Sequence, residues 1–65
     1  MYATMMTFNR WSAKNIIEDL CDEYECTFRI QYIDRDCDLK WTIYGERAKM
    51  VVKNASRYYW FLGEE

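Results

Sequence analysis

The chain contains no histidine and no proline, and only two glycines. Without imidazole it lacks the commonest general base, and with it the triads and metal sites built on that ring. With glycine confined to Gly45 and Gly63, no glycine-rich loop is available to cradle a phosphate. The same scarcity of Pro and Gly argues against a disordered segment. No stretch approaches the roughly 18 apolar residues of a membrane span, and the opening MYATMMTF has neither the length nor the basic start of a secretory signal. Cys21, Cys26 and Cys37 are an odd set, which speaks against a disulfide framework and for reduced thiols. Together these absences predict a cytoplasmic, non-catalytic protein with no cofactor and no membrane partner.

What is present points to a folded domain. Hydrophobic residues make up 51% of the 65, and aromatics 18%. Three Trp, six Tyr and three Phe are more rings than one small core needs, since each can bury about 150–250 Å², so some must lie at the surface. Grouped at the surface, rings mark a partner, and a chain this short often gains stability by pairing with itself. A homodimer is therefore one expectation. The net charge is −2, which does not suit a protein held to nucleic acid by bulk electrostatics. The charge is uneven, however: eight acids face Arg29 and Arg35 between Glu18 and Asp38, whereas five bases face Glu46 alone between Lys40 and Arg57.

In chain order, residues 1–8 mix Thr with large apolar side chains and read as an edge strand or a disordered start. Asn9 or Ser12 can cap a first helix, in which Ala13, Ile16, Ile17, Leu20 and Tyr24 share one face. Trp11, Asn15, Glu18, Asp19 and Asp22 lie opposite. Phe28, Ile30 and Tyr32 then alternate with polar residues, as do Leu39, Trp41 and Ile43, which predicts an antiparallel hairpin turning at Asp34 to Asp38. Gly45 ends the second strand, and a last helix of four to five turns is expected to reach Leu62. Its core stripe would be Ala48, Val51, Val52, Ala55, Tyr59 and Leu62, with Gly63 as its stop and residues 63–65 as a tail. The expected fold class is α+β: one domain over 1–65, (β)αββα, with two helices on one face of a short antiparallel sheet.

Two surfaces compete as sites. The acidic one joins Glu18, Asp19 and Asp22 to Asp34, Asp36 and Asp38, a set of carboxylates suited to mimicking phosphates on a basic partner. The other is the outward face of the last helix, Lys49, Met50, Lys53, Arg57, Trp60 and Phe61, where cation and ring side by side suit base stacking or a second copy of the chain. Other patterns read as incidental. Asp34, Asp36 and Asp38 have calcium-loop spacing, but Leu39 stands where glycine is required and Gly45 where a bidentate glutamate is. The three cysteines fall one ligand short of a structural zinc site. Asn54, Ala55 and Ser56 match a glycosylation acceptor inside a predicted helix.

From Ile16 onward, IIEDLCDEYECTFRIQ, DRDCDLKWTIYG and ERAKMVVKNASRYY resemble the latter half of a KH RNA-binding domain, in which a helix, a hairpin and a final helix follow in this order. That family's G-x-x-G loop, which clamps the nucleic-acid backbone, has no counterpart here, since its place reads FNRWSAK. The resemblance implies the fold and carries no binding residue across. In size and composition the chain is also similar to small bacteriophage proteins that disable host machinery, anti-CRISPR proteins among them. That likeness implies stoichiometric blocking of a host protein with a basic nucleic-acid-binding surface. The alternative is a small nucleic-acid-binding module using the basic helix face.

Overall fold

A computed structural model describes residues 1–33 and 38–64. Six elements follow in order: β1 (Tyr2–Thr7), α1 (Trp11–Glu23), β2 (Thr27–Tyr32), β3 (Leu39–Tyr44), α2 (Ala48–Ala55) and β4 (Phe61–Glu64). The strands form one sheet in the order β2-β3-β1-β4, with every neighbouring pair antiparallel. β1 and β2 therefore run parallel with β3 between them, and β3 and β4 run parallel with β1 between them. Two split βαβ units interleave, the connectivity of ferredoxin-like sheets. Both helices cover the same face, so the fold is a two-layer α+β domain as the sequence predicts, with one strand more.

The hairpin forms in the register that its alternation dictates. Phe28 pairs with Ile43, Ile30 with Trp41 and Tyr32 with Leu39, which puts the apolar rows on one side. β1 extends these rows through Ala3, Met5 and Thr7. Met5, Leu39, Trp41 and Ile43 are fully buried against Ala13, Ile17 and Cys21 of α1 and Ala48, Val51, Val52 and Ala55 of α2. Among the described residues one polar pair lies inside this core: the Trp41 indole Nε1 donates to Thr7 Oγ1 at 2.9 Å, and that hydroxyl donates to the Phe8 carbonyl at 3.0 Å.

Several expectations need correction. β1 lies in the interior of the sheet, because a strand that the sequence hides, β4, pairs along its other side. The last helix stops at Ala55, and the chain turns over residues 56–60 before Phe61 starts β4. Tyr58, Tyr59, Trp60 and Phe61 are strand formers, and Phe8 N–H donates to the Trp60 carbonyl at 2.8 Å. Trp60 is consequently core, 0% exposed and stacked on Tyr58 with ring centroids 5.0 Å apart, whereas Tyr59 and Leu62, expected in the core, are exposed. Gly63 and Glu64 belong to β4 instead of a helix stop and tail. Neither Asn9 nor Ser12 caps α1; the capping position is Arg10, with no side-chain hydrogen bond.

The end of α1 is built as a Schellman motif. Cys26 N–H donates to the Cys21 carbonyl at 2.8 Å and Glu25 N–H to that of Asp22 at 3.3 Å, with Glu25 in the left-handed region at φ 55°. Gly45, as expected, ends β3 with a positive φ of 144°. An added Cβ there would stand 2.9 Å from the Cys26 sulfur, so the glycine is required by space as well as by backbone.

Candidate functional site: two opposite surfaces

The outward face of α1 is the first. Positions 11, 15, 18 and 22 recur at the spacing of a single helical stripe, and Trp11, Asn15, Glu18 and Asp22 are all exposed, with Asp19 beside them. Trp11 is 81% exposed. The Tyr59 hydroxyl lies 3.5 Å from Ser12 Oγ, which sets a second exposed ring against the first turn of α1. The stripe therefore has rings at its head and carboxylates along its length. These carboxylates gain nothing from the helix dipole: no acid stands in the first turn, and Asp22 and Glu23 occupy the last, at its negative end, with no basic residue in that turn. Of the other predicted acids, Asp34 and Asp36 lie outside the described residues. Asp38 is half-buried at the entry to β3, apart in sequence from the helical stripe.

The basic helix face does not hold together as predicted. Lys49, Met50 and Lys53 are exposed on α2, and Arg57 is exposed in the turn after it. Trp60 is buried and Phe61 packs against the core from β4, so the rings that were to complete the surface, for stacking or for a dimer contact, are not available to it.

The second surface is the sheet face turned away from the helices, which sequence reasoning missed. Register and alternation place three rows on it: Thr27, Tyr44 and Tyr2; Arg29, Thr42 and Thr4; Gln31, Lys40 and Met6. Tyr2 and Tyr44 are neighbours on the two central strands, with ring centroids 6.5 Å apart and 66% and 41% exposure. A cleft of about 840 Å³ opens round the edge of the first half of β1, where Tyr2, Thr4, Lys40 and Thr42 of the open face meet Ala3 and, from α2 in the helix layer, Lys49, Val52 and Lys53. Glu64 is the one acid among its described lining residues. The signal was present as a tyrosine at an outward position of each central strand, but reading it requires the pairing of residues 2 and 44.

Two of the three thiols, Cys21 and Cys26, lie among the described residues. Cys21 and Cys26 are buried, and burial, with smaller contributions from Cys26, Asp22 and Glu18, pushes the Cys21 thiol up from 9.0 to about 11. It is protonated and inert at neutral pH. No group of His, Cys, Asp or Glu among the described residues is placed to hold a metal ion, and no helix among them is long and apolar enough to cross a membrane. No family model matches this chain, and no curated protein or solved structure matches it.

Proposed function

We propose that this chain is a non-catalytic binding module that docks through the outer stripe of α1 onto a basic protein surface. The reading extends to a phage-encoded inhibitor that occupies, on a host nucleoprotein or nucleic-acid enzyme, a surface meant for phosphates. The observation that carries the docking is Trp11, 81% exposed and in line with Asn15, Glu18 and Asp22. A ring so exposed gives nothing to the core, while Trp is the residue that most often anchors a protein interface. Neither carboxylate below it gains from the helix dipole, since Glu18 is mid-helix and Asp22 stands in the last turn, where the dipole opposes it. Ring and charge together suit a partner with an apolar notch flanked by Lys or Arg, with the charge supplying association rate and orientation. The phage origin rests on likeness of size and composition alone.

The test is retention of a partner from a nuclease-treated bacterial lysate. Immobilised protein should retain one host protein stoichiometrically, release it as salt rises or as nucleic acid is added, and lose it in the charge reversal E18K/D19K/D22K. Trp11→Ala should leave stability within about 0.5 kcal/mol, as for other exposed substitutions, and weaken the partner by about 2 kcal/mol, roughly thirtyfold. Retention unchanged by both variants, or no retained protein, would sink the proposal.

A further inference from the structure

We infer that the open face of the sheet is a separate binding surface for single-stranded nucleic acid, with bases on Tyr2 and Tyr44 and phosphates along the lysine cleft. It goes beyond the docking of α1 and is independent of it, because α1 covers the other face of the sheet.

Charge is the first ground. The outward positions of β1, β2 and β3 carry Arg29 and Lys40 and no carboxylate, in a chain whose net charge is −2. Lys49 and Lys53 join Lys40 at the cleft. Three lysines, one from the open face and two reaching round the edge of β1 from the helix layer, thus line a cleft with a single described carboxylate, Glu64, in an acidic protein. That distribution complements a polyanion.

The rings are the second ground. A solvated sheet face is well served by Thr, Gln, Lys and Arg, which fill the other outward positions of β1, β2 and β3 apart from Met6. Tyr2 and Tyr44 stand together at one end of the central strands, tilted 44° to each other, with much of both rings open to solvent. Each offers a π face to one base, and stacking of this kind tolerates any sequence. From Tyr44 to Lys40 is four residues of strand, about 13 Å, so rings and cation are spaced along a track that an extended strand could follow. Thr42 and Gln31 line that track with hydroxyl and amide groups able to meet base edges or phosphates. A duplex keeps its bases stacked and would meet the cations only, which is why the single strand is the favoured occupant.

The experiment is fluorescence anisotropy of fluorescein-labelled 12-nucleotide single-stranded DNA and RNA, titrated with the full chain in about 50 mM salt. Binding should weaken with a log–log salt slope near −3 if about four cations meet phosphates, at about −0.7 per contact. Y2A/Y44A should weaken it by about fivefold to a hundredfold for each base unstacked, while Y2F/Y44F should retain it. K49Q/K53Q, exposed on α2, should reduce the slope by about half, and it carries the test independently if loss of the tyrosines disturbs β1. E18K/D19K/D22K should not weaken the oligonucleotide, so failure here and failure of the α1 docking are read separately. No anisotropy change up to about 100 µM protein would overturn the inference. So would equal binding of duplex DNA and heparin unaffected by Y2A/Y44A, which would show a general anion surface instead of a stacking platform.

Discussion

Thr7 is the residue whose replacement tests the packing of the fold most sharply. It is fully buried on a central strand, and its hydroxyl accepts from Trp41 Nε1 at 2.9 Å while donating to the Phe8 carbonyl at 3.0 Å. Thr7→Val keeps the branched shape and removes the acceptor. The Phe8 carbonyl is not orphaned, because it also accepts from Arg10 N–H at 3.0 Å. The Trp41 N–H, with no other acceptor among the described residues, would be left buried and unsatisfied, which costs about 1–3 kcal/mol. In a domain of this length each kcal/mol moves Tm by roughly 4–8 °C, so a cost near 2 kcal/mol lowers it by about 8–16 °C. Thr7→Ser keeps the hydroxyl and loses one methyl, for about 1 kcal/mol. Thermal and urea unfolding followed by far-UV circular dichroism should rank the proteins wild type, Thr7→Ser, Thr7→Val. In a Trp41→Phe background, where no indole N–H exists, the cost of Thr7→Val should largely vanish. If Thr7→Val proves as stable as wild type, or the cost persists beside Phe, the hydrogen bond does not hold this core together.

Three further outcomes follow from the backbone and the thiols. Glu25 sits at φ 55° in a position that favours glycine, so Glu25→Gly should raise stability by about 1 kcal/mol in urea unfolding. Gly45→Ala should cost more than Gly63→Ala: both positions have positive φ, but only the first would bring a Cβ to 2.9 Å from the Cys26 sulfur. Cys26→Ala should recover part of that difference. For Cys21, the folded thiol is raised from 9.0 to about 11, so above pH 9 the unfolded chain gives up a proton that the folded one keeps. Its contribution to stability is complete below pH 9 and is lost as pH rises towards 11. Melts across that window should fall more steeply for wild type than for Cys21→Ala.

The elements legible in the sequence are those whose signal is local. The alternation of Phe28 and Ile30, and of Leu39, Trp41 and Ile43, fixes a hairpin within a few residues of itself, and the spacing of Ala13, Ile17 and Leu20 fixes the buried face of α1. β4 has no such signal. Val52, Ala55, Tyr59 and Leu62 fit a helical stripe by number, but the aromatic run from Tyr58 pairs with a strand more than fifty residues earlier, and that pairing outweighs local periodicity. Missing β4 moved β1 to an edge and turned Trp60 outward. The two surfaces differ in the same way. The acidic stripe of α1 needs only 3.6-residue spacing to be seen. The Tyr2–Tyr44 pair needs the register between β1 and β3, strands far apart in the chain, and the lysine cleft needs α2 placed beside β1. Trp11 was visible as the outward ring of α1, whereas Tyr59 joined it only when the helix ended at Ala55.

The most direct measurement of the α1 reading is a titration of the retained host protein into isotope-labelled chain, followed by NMR through the Trp11 indole and the backbone amides. Docking by the stripe predicts shifts or broadening at Trp11, Asn15, Glu18, Asp19 and Asp22 and at the neighbouring Tyr59, with Tyr2, Thr42 and Tyr44 undisturbed. Perturbation confined to the sheet face or to Lys49 and Lys53, with the Trp11 indole unmoved, would contradict it and give the partner to the other side of the molecule.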